Sequence, residues 1–370
     1  MRGFLGCKRI TSLALCLFVG LIAPLLLAIP ARAQGGTWVL ENHDYFNLTP
    51  AEIHGAQTNI LFPMITYAYQ YSLHSGRHHG WNIDLGHEFP IVGYQSNASS
   101  SAPGGVPANS WGVGLWFPLS FHMTEDLGTE PSNPILDTDY RFSGMVKFQY
   151  GLPLNWGGTT NSHLGFRFQF GHESTHVGDE FTINATSHFG DQFQRVNVSY
   201  EYYDLGFSFE PNFGKHGNHR LKFRAGNIAL FNPANGWYNS QLEHPDGVII
   251  ARSHRNIEPY AQFEYVSEWD PNTGIMSSNG FTRFFATRFN PILSMDIRDR
   301  TIYNYAKLSQ SQSEDTELST NTFLGLQQKT IQGVIKPTYY LRYYRGVNPM
   351  GQFRNQPNYT LYGFGVHFDF

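Results

Sequence analysis

Large apolar side chains occupy every second position over the end of the chain, Tyr362-Gly363-Phe364-Gly365-Val366-His367-Phe368-Asp369-Phe370. Successive side chains of a strand point to opposite sides, so Tyr362, Phe364, Val366, Phe368 and Phe370 share one face and Gly363, Gly365, His367 and Asp369 the other. An apolar face this dense, ending on a bare phenylalanine, predicts a strand with one side in hydrocarbon and the other toward a polar interior. The competing reading is a two-sided strand of a secreted sandwich.

The same alternation recurs in short aromatic segments separated by stretches rich in Gly, Asn, Pro, Asp and Ser. Candidate strands are 66–73, 81–91, 112–123, 140–150, 164–174, a stretch within 195–210, 220–228, 258–266, 281–289, 291–297, 322–329, 338–344 and 359–370. Some of these are expected to be loop, because each barrel strand gives a weak signal. The prediction is an all-β fold, a closed antiparallel transmembrane β-barrel of about 12 strands (range about 10 to 14) with long outer loops. The stretches 95–110, 125–136, 177–194, 231–252 and 309–321 are the expected long loops. Trp38, Trp81, Trp111, Trp116, Trp156, Trp237 and Trp269, with 21 tyrosines, are available for girdles at the two membrane interfaces. Beyond the amino-terminal segment, no apolar run reaches the roughly 18 to 20 residues of a spanning helix. Any membrane passage is therefore by strands.

Arg2, Lys8 and Arg9, an apolar run over 10–29 and the small-residue site Ala31-Arg32-Ala33 predict a cleaved signal peptide, residues 1–33, ahead of a single barrel domain over 34–370. Cys16 follows Leu13-Ala14-Leu15 as in a lipoprotein box, but the residue before it is not small and the apolar run continues. Both cysteines fall in the leader, which excludes disulfides and thiolate metal sites from the remainder. The leader holds four of the 25 basic residues and none of the 29 acidic ones, so residues 34–370 carry 21 against 29, a formal charge of −8. That balance speaks against nucleic acid as a partner.

The densest polar cluster is Gly171-His172-Glu173-Ser174-Thr175-His176-Val177-Gly178-Asp179-Glu180, directly after Phe166-Arg167-Phe168-Gln169-Phe170. By alternation His172 and Ser174 continue the face of the three phenylalanines, and Glu173 that of Arg167 and Gln169. A histidine and a serine two apart on an outward face can act as general base and nucleophile toward a lipid ester. Asn184 and Asn197 are candidates for a third member that orients His172. Asp179 and Glu180 are carboxylates of the kind calcium takes, and calcium is the ion expected if the chain is a hydrolase; otherwise no cofactor is expected. The plain alternatives are a strand end with its loop, the histidine and serine bonded to neighbours, and a His172/His176 metal pair. Arg167, Glu201, Arg342 and Asp369 fall on the inferred inward faces.

The His-x-Ser run resembles outer-membrane phospholipase A and the lipid A deacylase barrels, which implies His172 as general base and Ser174 as nucleophile. The phospholipase continues with an Asn-Gly-Arg run where this chain has Thr175-His176-Val177-Gly178, so the arginine of that family has no counterpart. Several segments together resemble a bacterial outer-membrane family catalogued as domain of unknown function 1207: Glu88-Phe89-Pro90-Ile91, Asp137-Thr138-Asp139-Tyr140-Arg141, the run from Phe170 to Glu180, and Tyr343 through Phe353 with its Pro-x-Gly-Gln-Phe sequence. That resemblance implies an outer-membrane barrel and no particular activity. The implied partners are outer-membrane lipids and the barrel-assembly machinery, which reads a terminal aromatic such as Phe370. The functional expectation is a structural, binding or narrow-pore barrel, with lipid-ester hydrolysis as the alternative.

Overall fold

The computed structural model describes residues 37–39, 52, 55–66, 77–97, 106–127, 135–154, 162–178, 196–213, 219–231, 238–239, 257–272, 274–301, 316–329, 336–354 and 358–369. The predicted leader lies outside them. Twelve antiparallel strands form a ring: β1 Thr58–Thr66, β2 Arg77–Gln95, β3 Trp111–Asp126, β4 Ile135–Leu152, β5 Ser162–Val177, β6 Val196–Glu210, β7 His219–Phe231, β8 Ile257–Ser267, β9 Phe289–Thr301, β10 Thr316–Gln328, β11 Lys336–Gly346 and β12 Tyr359–Asp369. Each pairs with its sequence neighbours, and β12 pairs back on β1 from Thr360 against Thr66 to Phe368 against Thr58. Closure removes the open edges of a flat sheet.

The barrel is inside-out by the standard of a water-soluble protein. Outward positions carry Phe62, Leu85, Phe207, Leu341 and Phe364, with Leu341 59% exposed, while Arg167, Lys147, Asp296 and Arg298 on inward positions are at most 1% exposed. In water that distribution would forfeit the hydrophobic effect and bury charge as well. With hydrocarbon outside, it is the stable arrangement. Aromatic pairs across neighbouring strands tie the outer face together, among them Phe166 with Phe207 at 5.2 Å and Phe223 with Phe263 at 5.4 Å between ring centroids. On β12 the buried residues are Tyr359, Leu361, Gly365 and His367, and Phe364 is exposed, as the alternation predicts.

Three expectations about the elements are corrected. The aromatic run 281–289 is a helix, α1 (Gly280–Arg288), started by Asn279, whose side-chain oxygen accepts from Thr282 N at 2.9 Å. The first strand is Thr58–Thr66, ahead of the predicted 66–73, of which 67–73 fall outside the described residues. Trp116 is not a girdle residue. It points into the barrel, 2% exposed, against Val106 and Met145, with Lys147 Nζ 4.8 Å from its ring centroid.

Strand parity decides which end each connection occupies. The connections after β2, β4, β6, β8 and β10 lie at the end where β1 begins and β12 finishes; those after β1, β3, β5, β7, β9 and β11 lie at the other. The stretch 95–110, expected among the outer loops, is therefore at the terminal end. There Val106 N bonds Gln149 Oε1 at 3.1 Å and His163 Nε2 lies 3.0 Å from Val106 O, which tucks the segment against the barrel floor.

Candidate functional site

β5 presents different chemistry on its two faces. Outward, Phe166, Phe168 and Phe170 give way to His172, Ser174 and His176 toward the end opposite the termini. Ser174 Oγ lies 3.1 Å from His176 Nε2. With the proton on Nδ1, that Nε2 accepts the hydroxyl hydrogen. The His176 ring stands edge-on to Tyr140 of β4, with centroids 5.8 Å apart. His172 Nδ1 is 3.7 Å from Glu201 Oε1 of β6, and its ring lies 5.2 Å from that of Phe142.

The predicted pair is thus placed on one outward stripe, with two features that sequence reasoning missed. The hydroxyl is hydrogen-bonded to His176, the next outward histidine, which the spacing had offered only as a metal partner for His172. Glu201 faces outward beside His172, not inward. Tyr200, Tyr202 and Asp204 hold the inward face of β6, and Leu205 and Phe207 share the face of Glu201. Of the other named residues, Asn197 belongs to β6 but its side chain lies outside the described residues, as do Asn184, Asp179 and Glu180 altogether. Among the described residues, no group of three or more His, Asp and Glu side chains gathers as a metal site.

Inward, the lumen is filled in layers. Glu52, from the segment ahead of β1, reaches into it and meets Arg167 at 3.0 Å, Arg224 at 2.6 Å and Arg298 at 4.0 Å. The segment passes so close to β2 that a Cβ on Gly86 would lie 2.8 Å from the Ala56 backbone, which explains the glycine there. Around Glu52, Arg167 also bonds Asp204 at 2.5 Å, Tyr260 donates its hydroxyl to Asp204 at 2.8 Å, and Arg298 pairs with Asp296 at 2.8 Å. Burial alone would push the Glu52 carboxyl up; the three guanidinium groups outweigh it and hold the carboxyl down at about 2.

Nearer the end opposite the termini, the connection from β11 to β12 folds inward. Residues 347–351, 353 and 354 are buried. Arg300 Nη1 donates to Val347 O at 3.3 Å and Asn348 O at 3.2 Å, Gly351 N donates to Asp139 carboxylate oxygens at 3.2 Å, and Arg354 pairs with Glu258 and reaches the Tyr200 hydroxyl at 3.3 Å. The Pro-x-Gly-Gln-Phe run singled out in the sequence is the centre of this plug. Beneath it Arg141 and Glu173 pair at 2.6 Å.

No family model matches the chain, and no curated protein does. Solved structures with a similar outline are outer-membrane barrels. Outer membrane phospholipase A from Escherichia coli is 13% identical, with TM-score 0.43, covering 89% of this chain and 95% of that one. An outer membrane channel from Pseudomonas putida F1 is 12% identical, with TM-score 0.43, covering 90% and 100%. The transport unit of the autotransporter AIDA-I from Escherichia coli is 10% identical, with TM-score 0.42, covering 90% and 95%. Overlap this loose leaves function to be argued from the chain's own residues.

Proposed function

We propose that this protein is an integral outer-membrane barrel with a sealed lumen, a structural or binding component and not an open channel. The observation that carries the reading is Glu52 held among Arg167, Arg224 and Arg298 across the barrel interior, with the 347–354 plug above it. The predicted leader and the aromatic final strand support export and insertion by the barrel-assembly machinery, and the apolar belt supports contact with outer-membrane lipids. With termini on the periplasmic side, the plug and the His172–His176 stripe belong to the outer leaflet. The expected result in planar bilayers is insertion without steady current. Sustained, porin-sized conductance would overturn the reading.

The 3.1 Å contact between Ser174 Oγ and His176 Nε2 on the lipid-facing side favours a second reading, lipid-ester hydrolysis. His176 would take the hydroxyl proton as Oγ attacks the ester carbonyl, then return it to the departing alcohol; water would release the acyl group by the reverse sequence. His172, with Glu201 beside it, is the base that the family resemblance implies. Reconstituted in phospholipid vesicles, with and without calcium, Ser174→Ala is expected to stop fatty-acid release, and loss of the true base to slow it by about 10²–10⁴. Equal release by the parent and Ser174→Ala proteins would end this reading, and His176→Asn against His172→Asn identifies the base.

A further inference from the structure

Helix α1 stands at the terminal end of the barrel between β8 and β9, and among the described residues one face of it meets nothing beyond the helix itself. Ala286 is buried and Thr282 half-buried, which sets the side that meets the barrel. At 100° per residue, the opposite side carries Phe281, Phe284, Thr287 and Arg288, the two rings toward one flank and Thr287 toward the flank of Arg283; Phe281 is 73% exposed. Arg288 lies over the Phe284 ring at 4.1 Å, and Arg283 is exposed on the flank. The rings do not form an isolated patch. The Phe281 ring lies tilted to Phe285 at 4.9 Å, Phe285 to Phe289 at 5.8 Å, and Phe289 stands edge-on to Tyr339 at 6.3 Å between centroids, and the last two belong to the outer faces of β9 and β11. The helix is fastened at this height by Lys329, whose amine donates to Ala286 O at 2.6 Å and to Trp269 O at 2.5 Å.

We infer that α1 is an interfacial anchor, lying in the phospholipid headgroup layer on the terminal side of the membrane, with Phe281 and Phe284 dipping toward the acyl chains and Arg283 and Arg288 at the phosphates. Continuity with the barrel's apolar belt fixes the height, and a helix with two arginines and no acidic residue has the charge that phosphate attracts. Exposed phenylalanines next to cations on a short helix are otherwise a liability in water. The inference rests on the barrel standing in a membrane, so its test must separate the two claims.

Because residues 34–370 contain no cysteine, single-cysteine variants can carry a nitroxide without interference. The labels would sit at Phe281→Cys, Phe284→Cys, Thr287→Cys and, in the middle of the belt, Phe364→Cys, in the full barrel reconstituted in phosphatidylethanolamine–phosphatidylglycerol vesicles. The ratio of oxygen to nickel-chelate collision is expected to be highest at 364, several-fold lower but still lipid-biased at 281 and 284, and aqueous at 287. Labels at 281 and 284 as aqueous as 287, with 364 in lipid, would overturn the anchor alone. Dipolar broadening at 281 would also overturn it, by showing a second copy on the helix. An aqueous 364 would overturn the membrane reading and the anchor with it. Both phenylalanines are exposed, so the substitutions leave the packed wall intact, and either position suffices if the other variant fails to fold.

Discussion

Glu52→Gln is expected to destabilise the barrel by about 3–5 kcal/mol, the range for breaking a buried ionic contact and leaving its partner charge behind. The amide keeps the volume and removes the charge, so Arg167, Arg224 and Arg298 share the remaining carboxylates. Arg167 keeps Asp204 at 2.5 Å and Arg298 keeps Asp296 at 2.8 Å; Arg224 keeps the neutral Gln262 at 3.1 Å. Arg224, at 2.6 Å the nearest of the three guanidinium groups to Glu52, is expected to bear most of the loss. Arg224→Gln added to Glu52→Gln should recover part of it, so that the pair is less damaging than the sum of its members. Urea unfolding of barrels refolded in vesicles measures all three. The sign with pH follows from the depressed carboxyl: Glu52 titrates at about 2 when folded against 4.5 as an ordinary glutamate, so its contribution is complete above 4.5 and fades as pH falls through about 2. Across that window the variant and the parent should converge. A constant gap, or a loss below about 1 kcal/mol, would mean that the segment around Glu52 does not hold the lumen together.

The wall of the barrel was legible because lipid outside and ions inside impose a strict period of two, and β5 shows it residue by residue from Phe166 to His176. It failed where the pattern was ambiguous for a physical reason. Tyrosine suits either face, so Tyr200, Glu201, Tyr202 and Tyr203 give no phase of their own; Leu205 and Phe207 set it and place Glu201 outward. In 58–66, Ile60, Leu61 and Phe62 follow one another and Pro63 interrupts them, so no alternation marks a strand that is paired on one side by β2 and on the other by β12, more than 290 residues later. In 281–289 the aromatics fall at 281, 284, 285 and 289, a helical spacing that aromatic content alone disguised as strand. Of the candidate site, the outward placement of His172 and Ser174 was readable from parity. The choice of His176 as the hydroxyl's partner was not, since both histidines share the stripe and only side-chain rotamers distinguish them. The plug was beyond reach for a different reason: Asp139 and Gly351 meet across 212 residues, and nothing local to either segment announces the other.

Gly351→Ala is expected to loosen the plug, and trypsin reports it through Arg354. The backbone at Gly351 is not among those with positive φ, so the demand for glycine is one of space. A Cβ there would lie 2.2 Å from Thr175 Cγ2 and 3.0 Å from Asp139 Oδ1, the carboxylate that also accepts from the Gly351 amide. Neither neighbour can retreat freely, because both stand on paired strands of the barrel wall. Overpacking of this kind costs about 1–3 kcal/mol, which raises the open population about 5- to 150-fold. Arg354 is 1% exposed and held by Glu258 and Tyr200, so trypsin cannot cut after it while the plug is seated. When opening is fast relative to cleavage, the rate tracks that population and should rise by the same factor. Thr175→Ser removes the Cγ2 that clashes, and in the double variant it should restore most of the resistance. If Gly351→Ala resists trypsin as the parent does, or if Thr175→Ser gives no rescue, the 347–354 segment is not a tightly fitted stopper.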